Sequence, residues 1–233
     1  MDNSPGKRAR VLTSAVKVVL SAGYIAFVFT AAGTLRWPRF WFYIGLYVVM
    51  TGSLMLWLKK RNPGLFKERM TAAKKSDVKK WDRTIVGAYT VFLLIMYLVI
   101  PLDAVRFRWS RVPLALSWLA FAGLLGSWAL VVFAFRVNSY LSGFVRIQSD
   151  RGQTVCTAGP YRFMRHPMYL ANILACLCVP PFLGSMFGWI PAGFCAALFV
   201  LRTALEDSTL RNELPGYADY AAKVRWKLVP GIW

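Results

Sequence analysis

Blocks of hydrophobic residues separated by short basic segments organise this chain. A run of about 20 apolar residues is enough to cross the hydrocarbon of a bilayer as a helix. Four blocks reach that length: Val11 to Leu35, Phe40 to Leu58, Thr84 to Leu102 and Leu114 to Phe135. The first carries Lys17, whose side chain can snorkel to the interface; that lysine and the block's length distinguish it from a signal peptide. A shorter pair follows, Met168 to Leu183 and Phe187 to Leu201, divided by Gly184-Ser185 after Pro180-Pro181. It reads as a helical hairpin whose members need tilt or local bilayer thinning to cross.

The expected fold is therefore all-α: a polytopic membrane helical bundle of about six transmembrane helices. It forms a single membrane domain over 1–233, with a four-helix part (1–135) and a C-terminal part (136–233) of loop, hairpin and tail. Residues 2–9 are expected to be disordered. The segment Lys59 to Arg83 sets Leu65, Phe66, Met70 and Trp81 among ten cations, which predicts a surface-lying amphipathic helix held by anionic headgroups.

Composition supports the membrane reading. The hydrophobic share is 57%, above the roughly 45–50% of soluble domains. Carboxylates are costly in hydrocarbon, and Asp and Glu together number only 10. A formal charge of +19 would suggest nucleic acid in a soluble protein, but here the cations sit between hydrophobic blocks. No nucleic-acid partner is expected. With the N-terminus inside, the internal segments hold 24 of the Lys and Arg residues and the external loops hold 5. That bias places both termini in the cytoplasm, in what is expected to be a prokaryotic inner membrane. Cys156, Cys176, Cys178 and Cys195 show neither a disulfide framework nor metal-ligand spacing, so no metal is expected.

Two internal segments flank the hairpin. The first runs Gly159-Pro160-Tyr161-Arg162-Phe163-Met164-Arg165-His166-Pro167-Met168-Tyr169 and holds the chain's single histidine. Proline suits the first position of a helix, which makes His166 the cap and sets Arg162 and Arg165 beside free N–H groups, a natural anion site. The second holds Arg202 and Glu206, four apart and able to pair on one helical face, with Asp207 adjacent. Tyr217, Tyr220 and Trp226 beyond them offer aromatic faces.

These residues resemble the isoprenylcysteine carboxyl methyltransferase family, especially its bacterial and archaeal members. The likeness runs from about Asn138 to Pro230. It extends upstream through Asn62-Pro63, Glu68-Arg69 and Trp81-Asp82. The resemblance implies a cytoplasmic tail that wraps S-adenosylmethionine and a lipophilic acceptor entering from the bilayer. Tyr161, Arg165, His166, Pro167, Tyr169, Glu206, Tyr217 and Tyr220 would form the cofactor pocket. Many members carry two glutamates where this chain has Glu206-Asp207. The anion clamp, carboxylates and aromatic faces match the cofactor's carboxylate, ammonium, sulfonium and adenine. In the catalytic roles, Arg202 is expected to orient the acceptor anion, and Glu206 to position Arg202 or the cofactor's ammonium. The acceptor would be a prenylcysteine-like carboxylate, a thiol or a lipid headgroup. Membrane sterol reductases, which bind NADPH, share an Arg-His-Pro-x-Tyr motif but have Asn where Met168 stands here.

Overall fold

The computed structural model describes the chain from residue 5, with side chains from residue 19. Eight α-helices make up the described residues, which contain no strand: α1 (Pro5–Ala32), α2 (Pro38–Arg61), α3 (Pro63–Thr71), α4 (Lys80–Pro101), α5 (Leu114–Val137), α6 (Pro167–Leu183), α7 (Trp189–Glu213) and α8 (Tyr217–Lys223). Helix α1 already includes residues 5–9, so the disorder expected there is not found; residues 2–4, and the Lys17 side chain, lie outside what is described. Gly33, at φ +72°, ends α1 three residues before the predicted boundary.

Four helices are long and apolar enough to cross a membrane: α2, α4 with its π-helical continuation to Phe107, α5 and α7. Helix α7 runs twelve residues past the expected Leu201, which gives it the length the sequence reading denied it. Helix α6 stays short at 17 residues. Its Pro180 and Pro181 continue the helix but donate no hydrogen bond. Proline at 181 leaves the Leu177 carbonyl without its helical partner; the Trp189 indole N–H fills that place at 2.7 Å.

Packing of α6 against α5 is close. Ser127 donates to the Ala171 carbonyl at 2.8 Å, and Ser117 to that of Pro181 at 3.2 Å. Gly123 admits Cys178, whose sulfur would lie 2.5 Å from any Cβ placed there. On the other side of the bundle Phe29, Phe40, Met96, Ile100 and Leu183 form a buried core joining α1, α2, α4 and α6. Trp118, Leu119, Val48, Val49 and Phe133 face outward, as lipid-facing positions would.

The predicted surface helix of 59–83 is corrected. Asn62 caps α3 by accepting from Leu65 N–H at 3.0 Å, and Pro63 starts it. The helix then turns inward, so that Leu65 and Glu68 are both buried. Leu65 packs with Leu58 and Phe135. Glu68 meets a buried arginine from the α5–α6 loop, a charge pair that could not form from the membrane surface.

Candidate active site

The hairpin brings the start of α6 and the far end of α7 to one end of the bundle. There Gly159, at φ +57°, and Pro160 turn the chain into a short 3-10 segment that buries Tyr161. The Tyr161 hydroxyl accepts from Asn138 at 2.9 Å, and its carbonyl accepts from the Tyr220 hydroxyl at 2.7 Å. His166 occupies the cap position and Pro167 the first helical position, as expected, but the imidazole makes no capping bond. It turns instead to Asp207.

Asp207 is the organising acid. Its oxygens take the Arg165 guanidinium at 2.7 and 3.0 Å, the Tyr217 hydroxyl at 2.9 Å, His166 Nε2 at 3.2 Å and Arg211 at 3.0 Å. Arg165 also donates to the carbonyls of Val224 and Arg225, at 2.6 and 2.9 Å. The backbone N–H groups of Arg165 and His166 reach Trp226 and Lys227, each at 2.9 Å. One buried pair thus fastens α6, α7, α8 and the tail together. Arg165 is not the open anion clamp expected from the sequence: its charge is neutralised, and it makes four hydrogen bonds inside the chain.

Of the eight residues expected around a cofactor, seven line one cavity: Tyr161, Arg165, His166, Tyr169, Glu206, Tyr217 and Tyr220. Pro167 does not; it sets the start of α6. Arg162 is exposed, and Trp226 lies outside the cavity. Burial pushes the phenols of Tyr161, Tyr217 and Tyr220 above their ordinary range, so they remain neutral there. Glu206 projects into this cavity and accepts from the Tyr169 hydroxyl. No Lys or Arg among the described residues forms an ion pair with it.

Arg202 does not pair with Glu206. It binds Asp82 of α4 in a two-pronged pair at 2.7 and 3.1 Å and donates to the Gly143 carbonyl at 3.0 Å. A carboxylate facing both guanidinium nitrogens is a better partner than one four residues along the same helix. Asp82 is fully buried and also accepts from Val145 N–H at 2.8 Å. The Arg202 guanidinium lies over the Tyr169 ring, 5.1 Å from its centroid. On its other side opens a narrow apolar cleft between α4 and α7, lined by Ile85, Val86, Tyr89, Leu198 and Phe199. Asp82 and Asn138 belong to the segments that carry the family resemblance, but the sequence pattern assigns them no role. The signal for Asp82 was its place among so few acids.

A second charge cluster walls the cavity. Arg146, buried, binds Glu68 at 2.8 and 3.1 Å, Asp77 at 2.6 Å and Asp150 at 2.9 Å; Lys75 joins Glu68 and Asp150. Hydrogen bonding from Arg146 holds the Glu68 carboxyl down from 4.5 to about 2, and Lys75 and Arg146 hold Asp150 at about 2. A depressed folded-state pKa gives stabilisation that is complete above the unfolded value and lost as pH falls through the folded one. Glu68→Gln is therefore expected to melt below wild type by a constant margin above about pH 5, a margin that closes toward pH 2. Melting of both proteins across that window tests it; an unchanged margin refutes it.

Four helices of membrane length and apolarity are the mark of an integral membrane protein, and a tyrosine-rich cavity with mixed polar and apolar lining opens at one end of the bundle. Residues 116–212, less than half of the chain, match the isoprenylcysteine carboxyl methyltransferase (ICMT) family. That span holds α6 and nearly all of α5 and α7, with Arg165, His166, Tyr169, Arg202, Glu206 and Asp207. The chain is also similar to the cobalt-zinc-cadmium resistance protein CzcN of Cupriavidus metallidurans, at 31% identity over 104 residues. That match covers 43% of this chain and 44% of CzcN, less than half the length of either.

Proposed function

We propose that this protein transfers the methyl group of S-adenosylmethionine to a lipophilic acceptor at the cytoplasmic face of the membrane. The acceptor class is a prenylcysteine-like carboxylate, with a thiol or lipid headgroup as the variants to test. The observation that carries this reading is Glu206: a carboxylate in no ion pair among the described residues, set among tyrosines in the cavity. Such a group suits the ammonium or sulfonium of a cationic ligand, and the tyrosine faces suit its adenine.

The bound cofactor supplies an electrophilic methyl carbon on sulfur. A carboxylate acceptor would take that methyl group without losing a proton, so no side chain would have to act as a base. The chain's own work is then positioning and exclusion of water. Glu206, oriented by Tyr169, holds the positive ligand. Arg202, fixed by Asp82, faces the anionic end of an acceptor whose apolar part approaches through the cleft between α4 and α7. The NADPH reductase alternative has no observation in its favour, whereas residues 116–212 match the methyltransferases.

Glu206→Gln keeps the hydrogen-bonding shape and removes the charge. It is expected to weaken S-adenosylhomocysteine binding by about tenfold or more, read from ligand-dependent melting in detergent. The reading as a whole is tested with radiolabelled S-adenosylmethionine and a panel of prenylcysteine, thiol and phospholipid acceptors. The absence of both label transfer and stabilisation by S-adenosylhomocysteine would overturn it.

A further inference from the structure

At the other end of the hairpin, beyond the 17 residues of α6, a second cavity of about 560 Å³ opens. Its charged lining comes from three arginines: Arg36 and Arg39 at the start of α2, and Arg108 in the turn after α4. No acid pairs with these side chains among the described residues. The one acidic residue between Asp82 and Asp150 is Asp103, and it is already saturated. Fully buried, Asp103 accepts from Ser110 N–H and hydroxyl, both at 2.8 Å. It also accepts from the Ser185 hydroxyl at 2.6 Å and from the N–H groups of Met186 and Phe187 at 3.1 and 3.2 Å.

That knot ties the Arg108 turn to the hairpin tip and fixes the cavity wall. Arg108 is the single non-glycine residue with positive φ among the described residues, at 53°. A branchless residue would adopt this conformation more readily, so strain is accepted at the position that carries a cavity cation. Arg39 lies against the tip, its Nη1 3.5 Å from where a Cβ on Gly184 would stand. The first turn of α2 contains no acid, and its positive dipole end adds to the field.

Continuous with this cavity, and sharing Pro38 and Arg39 with it, is an apolar groove of about 350 Å³ along α2 and α5. Phe42, Trp118, Phe121 and Phe182 line it, and Trp118 is 63% exposed. An unneutralised guanidinium cluster opening onto an aromatic groove on the bundle's outer face matches one kind of molecule: an anionic head with a hydrocarbon tail. We propose that this site binds an anionic phospholipid, with its phosphate among Arg36, Arg39 and Arg108 and an acyl chain in the groove. Guanidinium forks take two phosphate oxygens at once, and the excess of positive charge favours an anionic over a zwitterionic head.

The test uses the delipidated full chain in neutral detergent, with phosphatidylglycerol, phosphatidylcholine or inorganic phosphate added. Phosphatidylglycerol is expected to be retained in native mass spectra and to raise the melting temperature more than the other two. Arg39→Gln is expected to weaken that retention by about tenfold, and the triple variant R36Q/R39Q/R108Q to abolish it. Trp118→Ala should weaken phosphatidylglycerol while leaving any response to phosphate unchanged. Stabilisation by inorganic phosphate equal to that by the lipid would show a free-anion site and overturn the proposal. So would equal retention of phosphatidylcholine, or full retention by the Arg39→Gln protein. The melting temperature of each variant without added lipid reports separately that it is folded, and does not depend on the site at the opposite end of the hairpin.

Discussion

Asp207→Ala is expected to lower stability by about 3–5 kcal/mol, because it leaves the buried Arg165 guanidinium without its counter-charge. The loss does not stop at one pair. Asp207 also accepts from Tyr217 and His166, and through Arg165 it holds the carbonyls of Val224 and Arg225. Without it, α8 and the tail are held near the start of α6 only by the backbone bonds to Trp226 and Lys227 and by the Tyr220–Tyr161 bond. Tyr217 loses its anchor in the cavity wall. The variant is therefore expected to show both a lowered melting temperature and no stabilisation by S-adenosylhomocysteine. Asp207→Glu is the informative companion: it keeps the charge but lengthens the arm, and partial recovery of melting is expected. A variant lacking the carboxylate that melts like wild type would contradict the assignment of Asp207 as the organising acid.

Arg202→Ala is expected to cost a similar amount, again about 3–5 kcal/mol, for the mirror-image reason. It strands the fully buried Asp82 with only the Val145 N–H for company. A fall in activity of this variant would thus mix folding with chemistry. The double replacement Arg202→Met with Asp82→Leu separates them. Apolar residues of similar volume commonly replace a buried ion pair at little or no cost, so melting is expected to recover. S-adenosylhomocysteine binding is expected to survive, since Arg202 does not line that cavity. Methyl transfer is expected to stay abolished, since nothing then faces the acceptor's anion. A double variant with wild-type turnover would remove Arg202 from the reaction.

Much of this architecture was legible before any coordinates. Helical blocks separated by cations marked α2, α4 and α5 to within a few residues, because burying backbone in hydrocarbon demands long uninterrupted helices. His166-Pro167 announced the start of α6, since proline tolerates that one helical position. The end of α7 was not legible: past Leu201 the residues turn polar, and only the partners waiting for Arg202 and Asp207 make that stretch worth keeping helical. The surface placement of α3 failed for a related reason. Its cations suggested headgroups, whereas Glu68 is drawn inward by Arg146, which lies 78 residues further along the chain.

The sequence by itself determined the helical, membrane-type character of the chain, which follows from a local rule, the length of its apolar runs. The side chains expected around the cavity came from the resemblance to a family, not from local rules. Tertiary structure alone decided which charges meet. Glu206 and Asp207 are neighbours, yet successive helical residues point about 100° apart, so one enters the cavity with only the Tyr169 hydroxyl on its carboxylate while the other disappears into the arginine pair. Arg202, with an acid four residues away on its own helix, takes one 120 residues distant instead, because only folding could bring Asp82 face-on to its guanidinium.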